Sequence, residues 1–367
     1  MKLSYEHENQ LKNLFFSISN SHNTIHSFSD DKKEYIKKQS LISNIGASTR
    51  IENAILTDTE IKMIDTLIET EGQDFDRCIK NKLSKDKERS LQEVIGYRAV
   101  LQFIYTDYAS LVPLTESDLK GLHRELMKPY KKATYFMGNY KRNTNNVIET
   151  NLYTGNRTTV FESASPGPIT ETAMYELVKW ASLAFQKSIW IIPEAVEFIF
   201  RFLAIHPFQD GNGRMSRLLF QLFLLNAKDN VLSNIIPFIA FDREIEKQRA
   251  TYYSVLRKCS GGIFHQDSRD YDFMPFLIFM VDCLEKSLLN VDYYSQKYDH
   301  YQMLPESAKK VLSIFKDHPE KKLNTAFIEK NSDIPRRTII TSYKPLIQGG
   351  FLQEMGTGPQ KGYRIVF

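Results

Sequence analysis

A chain of 367 residues has room for one large domain and one small one. With 42% hydrophobic and 25% charged residues, it excludes wholesale disorder and a fibrous fold. The net charge of +4 is too small to indicate nucleic acid or a membrane surface by itself, but residues 305–367 carry eleven Lys/Arg against six Asp/Glu, so a polyanion-binding surface belongs at that end if anywhere. Cys78, Cys259 and Cys283 are far apart with no CxxC pair, which points away from a disulfide framework or a zinc site and toward a reducing cytoplasm. Glu6 and Glu8 precede any apolar run long enough for a signal peptide, so a soluble protein is expected.

The elements read as mostly helical. Residues 1–44 form an N-terminal helical region. Thr57 to Glu60 resembles a capping box ahead of Ile61, Ile64, Leu67 and Ile68, and Thr115 to Asp118 opens a second helix that Pro129 ends. Between 138 and 168, Val147-Ile148, a turn signal at Tyr153-Thr154-Gly155-Asn156 and Thr158-Thr159-Val160-Phe161 predict a β-hairpin. Pro193 suits the first turn of a helix with a stripe of Ala195, Phe198, Ile199, Phe202 and Leu203. Leu218 to Leu225 leave almost no polar face, as expected of a helix at the centre of a bundle.

His206-Pro207-Phe208-Gln209-Asp210-Gly211-Asn212-Gly213-Arg214-Met215-Ser216-Arg217 lies between those last two helices. Gly211-Asn212-Gly213 lets backbone N–H groups approach an anion closely, and the following helix turns its positive dipole end to the same place. Arg214 and Arg217, three apart on the first turn, can grip one phosphorylated ligand. Asp210 is placed to hold Mg²⁺ against phosphate oxygens, and His206 supplies a base that titrates near neutral pH. Together they describe metal-assisted attack at phosphorus.

The segment resembles the motif H-P-F-x-[D/E]-G-N-G-R-x-x-R of the Fic family at every fixed position, and the resemblance spans residues 45–290. It implies a mainly α fold: a helical bundle with a β-hairpin flap (138–168) in a domain covering 45–300. The implied activity is transfer of AMP from ATP to a Ser, Thr or Tyr hydroxyl of a target protein or of the chain itself. His206 would then be the general base and Asp210 the Mg²⁺ ligand, while Gly211, Asn212, Gly213, Arg214 and Arg217 hold the phosphates and Phe208 is buried support. Ser48-Thr49-Arg50-Ile51-Glu52-Asn53 matches the family's inhibitory pattern [S/T]-x-x-x-E-[G/N], on a helix near 45–55, where Glu52 would pair with Arg217. The flap would dock a target strand along Val147, Ile148 and Glu149, and Tyr252 would meet the adenosine. The other histidines, among them His123 and His265, show no ligand-like spacing.

Residues 305–367 predict helices at 307–316, 324–331 and 335–347, then strands at 351–354 and 363–367. The pattern is a winged helix-turn-helix with Arg336, Arg337 and Lys344 available for phosphate contacts. Pro345 suggests a kink or an early end to the last helix. Contact with DNA or with protein stays open for this unit, as does a homodimer. The alternatives to an AMP transferase are a DNA-binding regulator whose core senses nucleotide, and an enzyme that also removes AMP under the direction of Glu52.

Overall fold

The computed structural model describes residues 3–71, 79, 83, 87–150, 157–187, 191–319, 321–358 and 361–366. Cys78, Pro359 and the turn signal at 153–156 lie outside them.

Two long helices, α1 (Tyr5–His26) and α2 (Asp30–Ile51), precede α3 (Asp58–Glu71), α4 (Glu88–Asp107) and α5 (Glu116–Met127). Both expected capping boxes form: Thr57 N–H donates to Glu60 Oε2 at 2.8 Å while Glu60 N–H donates back to Thr57 Oγ1 at 3.3 Å, and Thr115 and Asp118 do the same. The hairpin follows as antiparallel strands β1 (Val147–Thr150) and β2 (Arg157–Phe161), pairing Val147 with Phe161 and Glu149 with Thr158. Next come α6 (Pro168–Lys187), α7 (Ile191–Ile205) and α8 (Asn212–Leu225), with Pro193 in the first turn of α7. Short helices α9 (Asn230–Ile235), α10 (Phe241–Lys247) and α11 (Arg249–Ser260) lead to the long α12 (Met274–Gln302). No described helix is long and apolar enough to cross a membrane.

Burial explains which helices sit centrally. In α8, Leu218 to Leu225 are all buried, and each such leucine or phenylalanine contributes about 1.5–3 kcal/mol to the core. Helix α2 is central for a different reason. Its residues Gln39 to Thr49 are buried although half are polar. The polar groups are therefore tied to their surroundings: Ser40 donates to Phe238 O at 2.6 Å, Ser43 pairs with the Tyr294 hydroxyl at 2.6 Å, and Asn44 bridges Ile239 O and the Asp242 amide at 2.9 and 3.0 Å. Leu11, Leu14 and Ile18 of α1 join the same hydrophobic cluster as α2 to α12, so the N-terminal helices are built into the main body.

Residues 305–367 hold α13 (Glu306–Lys316), α14 (Thr325–Lys330), α15 (Arg336–Gln348) and the antiparallel pair β3 (Leu352–Met355) and β4 (Gly362–Ile365). Of the kink or early end expected at Pro345, the early end is not found: α15 runs on to Gln348. Proline there removes only its own N–H, and its carbonyl still accepts from Gly349 at 2.9 Å. This unit has its own hydrophobic cluster, from Leu304 through Phe315 and Leu346 to Tyr363. A chain ending near Leu304 should therefore remain folded, with a thermal midpoint within about 5 °C of the full chain, because the main cluster loses none of its members. Circular dichroism melts of the two chains check this; a truncated chain without a cooperative transition would contradict it.

Candidate active site

The site is built on the loop 206–211 between α7 and α8. His206 has φ +53, in the left-handed region, which costs a non-glycine residue about 1–3 kcal/mol and persists only where surrounding contacts over-determine it. Those contacts are present. Asn145 Nδ2 donates to His206 O at 3.1 Å and Phe208 O at 2.6 Å, and Lys141 N donates to Pro207 O at 2.8 Å. Lys141 Nζ reaches Ile205 O at 3.0 Å, Asn145 Oδ1 at 2.8 Å and Ser163 Oγ at 2.9 Å, which ties both ends of the hairpin to the loop. Burial pushes this lysine down to about 7. From below, the His123 ring stacks on Phe208 with centroids 3.8 Å apart, accepts from Gly138 N at Nδ1 and donates from Nε2 to Asp210 O, both at 2.9 Å. His123 is thus a satisfied core group, kept neutral by burial that pushes it down to about 4, and it fixes the height of the motif loop.

Phe208 is fully buried. Asn212 is spent on the same loop: its Oδ1 accepts from Phe208 N at 2.9 Å and its Nδ2 donates to Phe208 O at 2.7 Å. With a side chain 1% exposed, what Asn212 can offer an anion is its backbone N–H. Gly211 caps α8 with φ +83, so the first amides of a 14-residue helix point into the site without intrahelical acceptors.

His206 Nδ1 lies 3.2 Å from Leu203 O, so it carries the proton and leaves Nε2 as the free base. Loss of solvation, and then the nearby Lys141 charge, push this imidazole down to about 4. Asp210 is ionised: burial works to raise it, but the guanidinium groups of Arg214 and Arg89 and the Gly211 amide hold it below the usual carboxylate range. Its Oδ1 accepts from Gly211 N at 2.5 Å and Arg214 Nη2 at 3.2 Å, and its Oδ2 accepts from Arg89 Nη2 at 2.9 Å.

Helix α2 delivers the remaining groups. Arg217 donates from Nε to Ser48 Oγ at 2.6 Å, and from Nη2 to Ser48 O at 2.9 Å and Glu52 Oε1 at 3.0 Å. Burial opposes its charge most strongly, yet the Glu52 carboxylate, together with Tyr252, Asp242 and Tyr97, more than compensates and raises its pKa. A Cβ added at Gly213 would collide with that carboxylate, so Glu52 sits against the amino end of α8, where an anion would bind. Glu52 is held there by the way α2 stops. Asn53, with φ +72, donates to Arg50 O at 2.9 Å and Ala54 N donates to Thr49 O at 3.1 Å, the two bonds of a Schellman cap. Asparagine is one of the few residues that tolerates this conformation.

Arg217 Nη1 and Arg214 Nε are buried and have no hydrogen-bond acceptor among the described residues, so each arginine keeps a donor for a ligand. An ionised carboxylate beside phosphate-directed amides and arginines is a donor set that fits Mg²⁺, which takes one or two carboxylates plus phosphate oxygens. Tyr252, expected beside the adenosine, is 3% exposed and packed against Phe276 and Phe279; the exposed ring next to it is that of Tyr253, whose hydroxyl lies 3.5 Å from Ile51 O. Val147 is half-buried on β1, and for Ile148 and Glu149 only the backbone pairing is described. Arg89, Glu93, His123, Lys141 and Asn145 are site residues that no spacing in the sequence revealed.

Residues 113–224 match the model of the Fic/DOC family. The chain is 25% identical over 254 residues to the protein adenylyltransferase Fic of Drosophila willistoni and, at the same identity, to that of Drosophila melanogaster; each alignment takes 69% of this chain and 42% of the relative. The chain thus spans about two fifths of the length of these curated relatives. Its fold is similar to that of a Fic family protein from Desulfovibrio desulfuricans G20, with a TM-score of 0.58, 19% identity, and coverage of 100% of this chain and 97% of the other. It is also similar to a Fic domain containing signaling protein from Bacteroides thetaiotaomicron, with a TM-score of 0.59, 23% identity, and coverage of 78% and 97%. The complete motif, the helical fold around it and these matches support a Fic family protein, with the Fic/DOC match over residues 113–224.

Proposed function

We propose that the chain transfers AMP from ATP to a Ser, Thr or Tyr hydroxyl of a protein, and that Glu52 restrains it. The observation that carries this reading is the convergence on one helix end of a neutral, singly protonated imidazole, an ionised carboxylate and two arginines with uncommitted donors. In the reaction, the acceptor oxygen attacks the α-phosphorus, His206 Nε2 takes the hydroxyl proton, and the bond from the α-phosphorus to the bridging oxygen breaks to release pyrophosphate. The amides of Gly211 to Arg214, with Arg214 and Arg217, hold the phosphates as charge moves onto the leaving group. Mg²⁺ held by Asp210 and phosphate oxygens would neutralise further charge there. The hairpin, tied to the catalytic loop through Lys141 and Asn145, supports a target segment added as a strand.

Incubation with each nucleoside triphosphate followed by intact mass measurement tests the reading. An increase of one AMP moiety with ATP alone supports it; no increase with any donor, even after Glu52 is removed, contradicts it. The alternative, a DNA-binding regulator, rests on Arg336, Arg337 and Lys344, exposed together on α15. Tight, salt-sensitive and sequence-selective retardation of DNA by a chain that transfers no AMP would favour it.

The low pKa of His206 has a direct kinetic consequence. Since the base form is the neutral one and the free enzyme loses it only near pH 4, kcat/KM of a derepressed variant should stay level from pH 8 to about pH 5. An unperturbed histidine would instead halve the rate near pH 6.5. Initial rates at saturating Mg²⁺ distinguish the two.

A further inference from the structure

Arg89 lies outside the motif, at the start of α4, yet it holds the motif carboxylate directly. Its Nη2 donates to Asp210 Oδ2 at 2.9 Å, its Nε lies 2.9 Å from Glu93 Oε1, and its guanidinium rests 3.6 Å from the centre of the Tyr130 ring. Arg214 closes the circuit, 3.2 Å from Asp210 Oδ1 and 3.9 Å from Glu93 Oε1. Four charges therefore alternate in sign around a ring. Two members, Arg214 and Glu93, are buried; the side chains of Arg89 and Asp210 are 37% and 40% exposed, so their pair is the weakly held side.

A divalent cation reaching Asp210 meets a carboxylate whose Oδ1 is committed to Gly211 N–H and Arg214 and whose Oδ2 is taken by Arg89. Of these partners, only Arg89 can leave without dismantling the loop or the buried arginine. Resting on the nucleotidyltransferase reading, we propose that Arg89 is the resident counter-ion of the metal carboxylate: it neutralises and orients Asp210 in the metal-free protein and yields Oδ2 to the incoming cation. The Tyr130 face keeps the displaced guanidinium nearby, since a ring within 4 Å attracts a cation without fixing it to an acceptor. Either way Oδ2 carries a positive partner, so the phosphates never face a bare carboxylate. Arg89 is a positioning residue, acting through Asp210.

The test uses the full chain carrying Glu52→Gly and His206→Ala, which binds ATP without turning it over. Mn²⁺ is titrated at fixed ATP and its bound fraction read by electron paramagnetic resonance; ATP affinity is also measured in EDTA by calorimetry. Adding Arg89→Met should lower the half-saturating Mn²⁺ concentration about three- to tenfold, because the competitor is gone, while ATP binding without metal weakens by a similar factor. Arg89→Lys, which keeps the charge, should fall between the two and guards against a folding defect in the methionine variant. An unchanged or higher Mn²⁺ requirement in both variants would overturn the proposal and leave Arg89 as a structural or phosphate contact. If the parent chain with Arg89 intact binds no ATP even with Mn²⁺, the nucleotidyltransferase reading fails and takes the proposal with it.

Discussion

Replacing His206 with alanine should lower AMP transfer about 100- to 10,000-fold while changing ATP affinity less than about threefold. Among the described residues the imidazole is bonded to Leu203 O alone, through Nδ1, which leaves Nε2 free; the groups placed to hold phosphates are the α8 amides, Arg214 and Arg217. Losing the ring therefore removes proton acceptance and leaves the nucleotide cradle intact. Alanine leaves the loop's own anchors in place, since the side-chain amides of Asn145 and Asn212 hold its backbone. The comparison is best made in the Glu52→Gly background, with transfer followed by mass and affinity by calorimetry. A parallel collapse of ATP binding would place His206 among the nucleotide ligands and remove the base from the mechanism.

The second large effect should come from Glu52→Gly itself, as a gain. Glu52 is about two-thirds buried and its partner Arg217 almost wholly so, and the carboxylate fills the space in front of Gly213. A charge-assisted pair of this kind contributes about 1.5–3 kcal/mol, which favours the closed arrangement by about 10- to 150-fold. Glycine removes that preference, frees Arg217 Nη2 for a phosphate and opens the helix end. Arg217→Ala should not reproduce the gain, because it deletes the phosphate ligand along with the restraint. Autoradiography of the wild type, both single variants and the Glu52→Gly/His206→Ala double variant reads out all four. Equal labelling of wild type and Glu52→Gly, with the double variant dark, would show that Glu52 imposes no restraint.

The parts of the site legible in the sequence are those that neighbouring residues build together. His206 to Arg217 occupy one loop and one helical turn, so spacing alone assembles base, carboxylate, anion amides and arginines. Thr57-Glu60 and Thr115-Asp118 were readable for the same reason, since a cap closes within four residues. Glu52 and Arg217 lie 165 residues apart and were joined only through the pattern that ends in Asn53; the structure supplies its physical basis, because the position after Glu52 must be left-handed. Arg89, Glu93, His123, Lys141 and Asn145 come to the loop from other helices and from the hairpin base, and nothing local in their sequence encodes that arrival. Tyr252 and Tyr253 show the same limit on a smaller scale. Adjacent residues on a helix face about 100° apart, and only the packing of α11 on α12 decides which ring is buried.

If Glu52 restrains the site as proposed, the polar stitching of α2 also sets how quickly that restraint can be released. Ser40, Ser43 and Asn44 bind Phe238, Tyr294, Ile239 and Asp242 along the helix, and lifting the helix away would strand these groups in the protein interior. Wholesale displacement would therefore be a rare, slow opening on the scale of local unfolding. The terminal turn is anchored too, by Arg50 on Glu246 at 2.6 and 2.9 Å and by Arg249 on Asn53 Oδ1 at 2.8 Å, but among the described residues the Glu52 carboxylate holds only to Arg217, so it can swing out by rotamer changes with the helix in place. Those are nanosecond-to-microsecond events. On that proposal, a signal that acts on this helix end need only bias a fast local equilibrium, and the restraint can return as soon as that signal is gone.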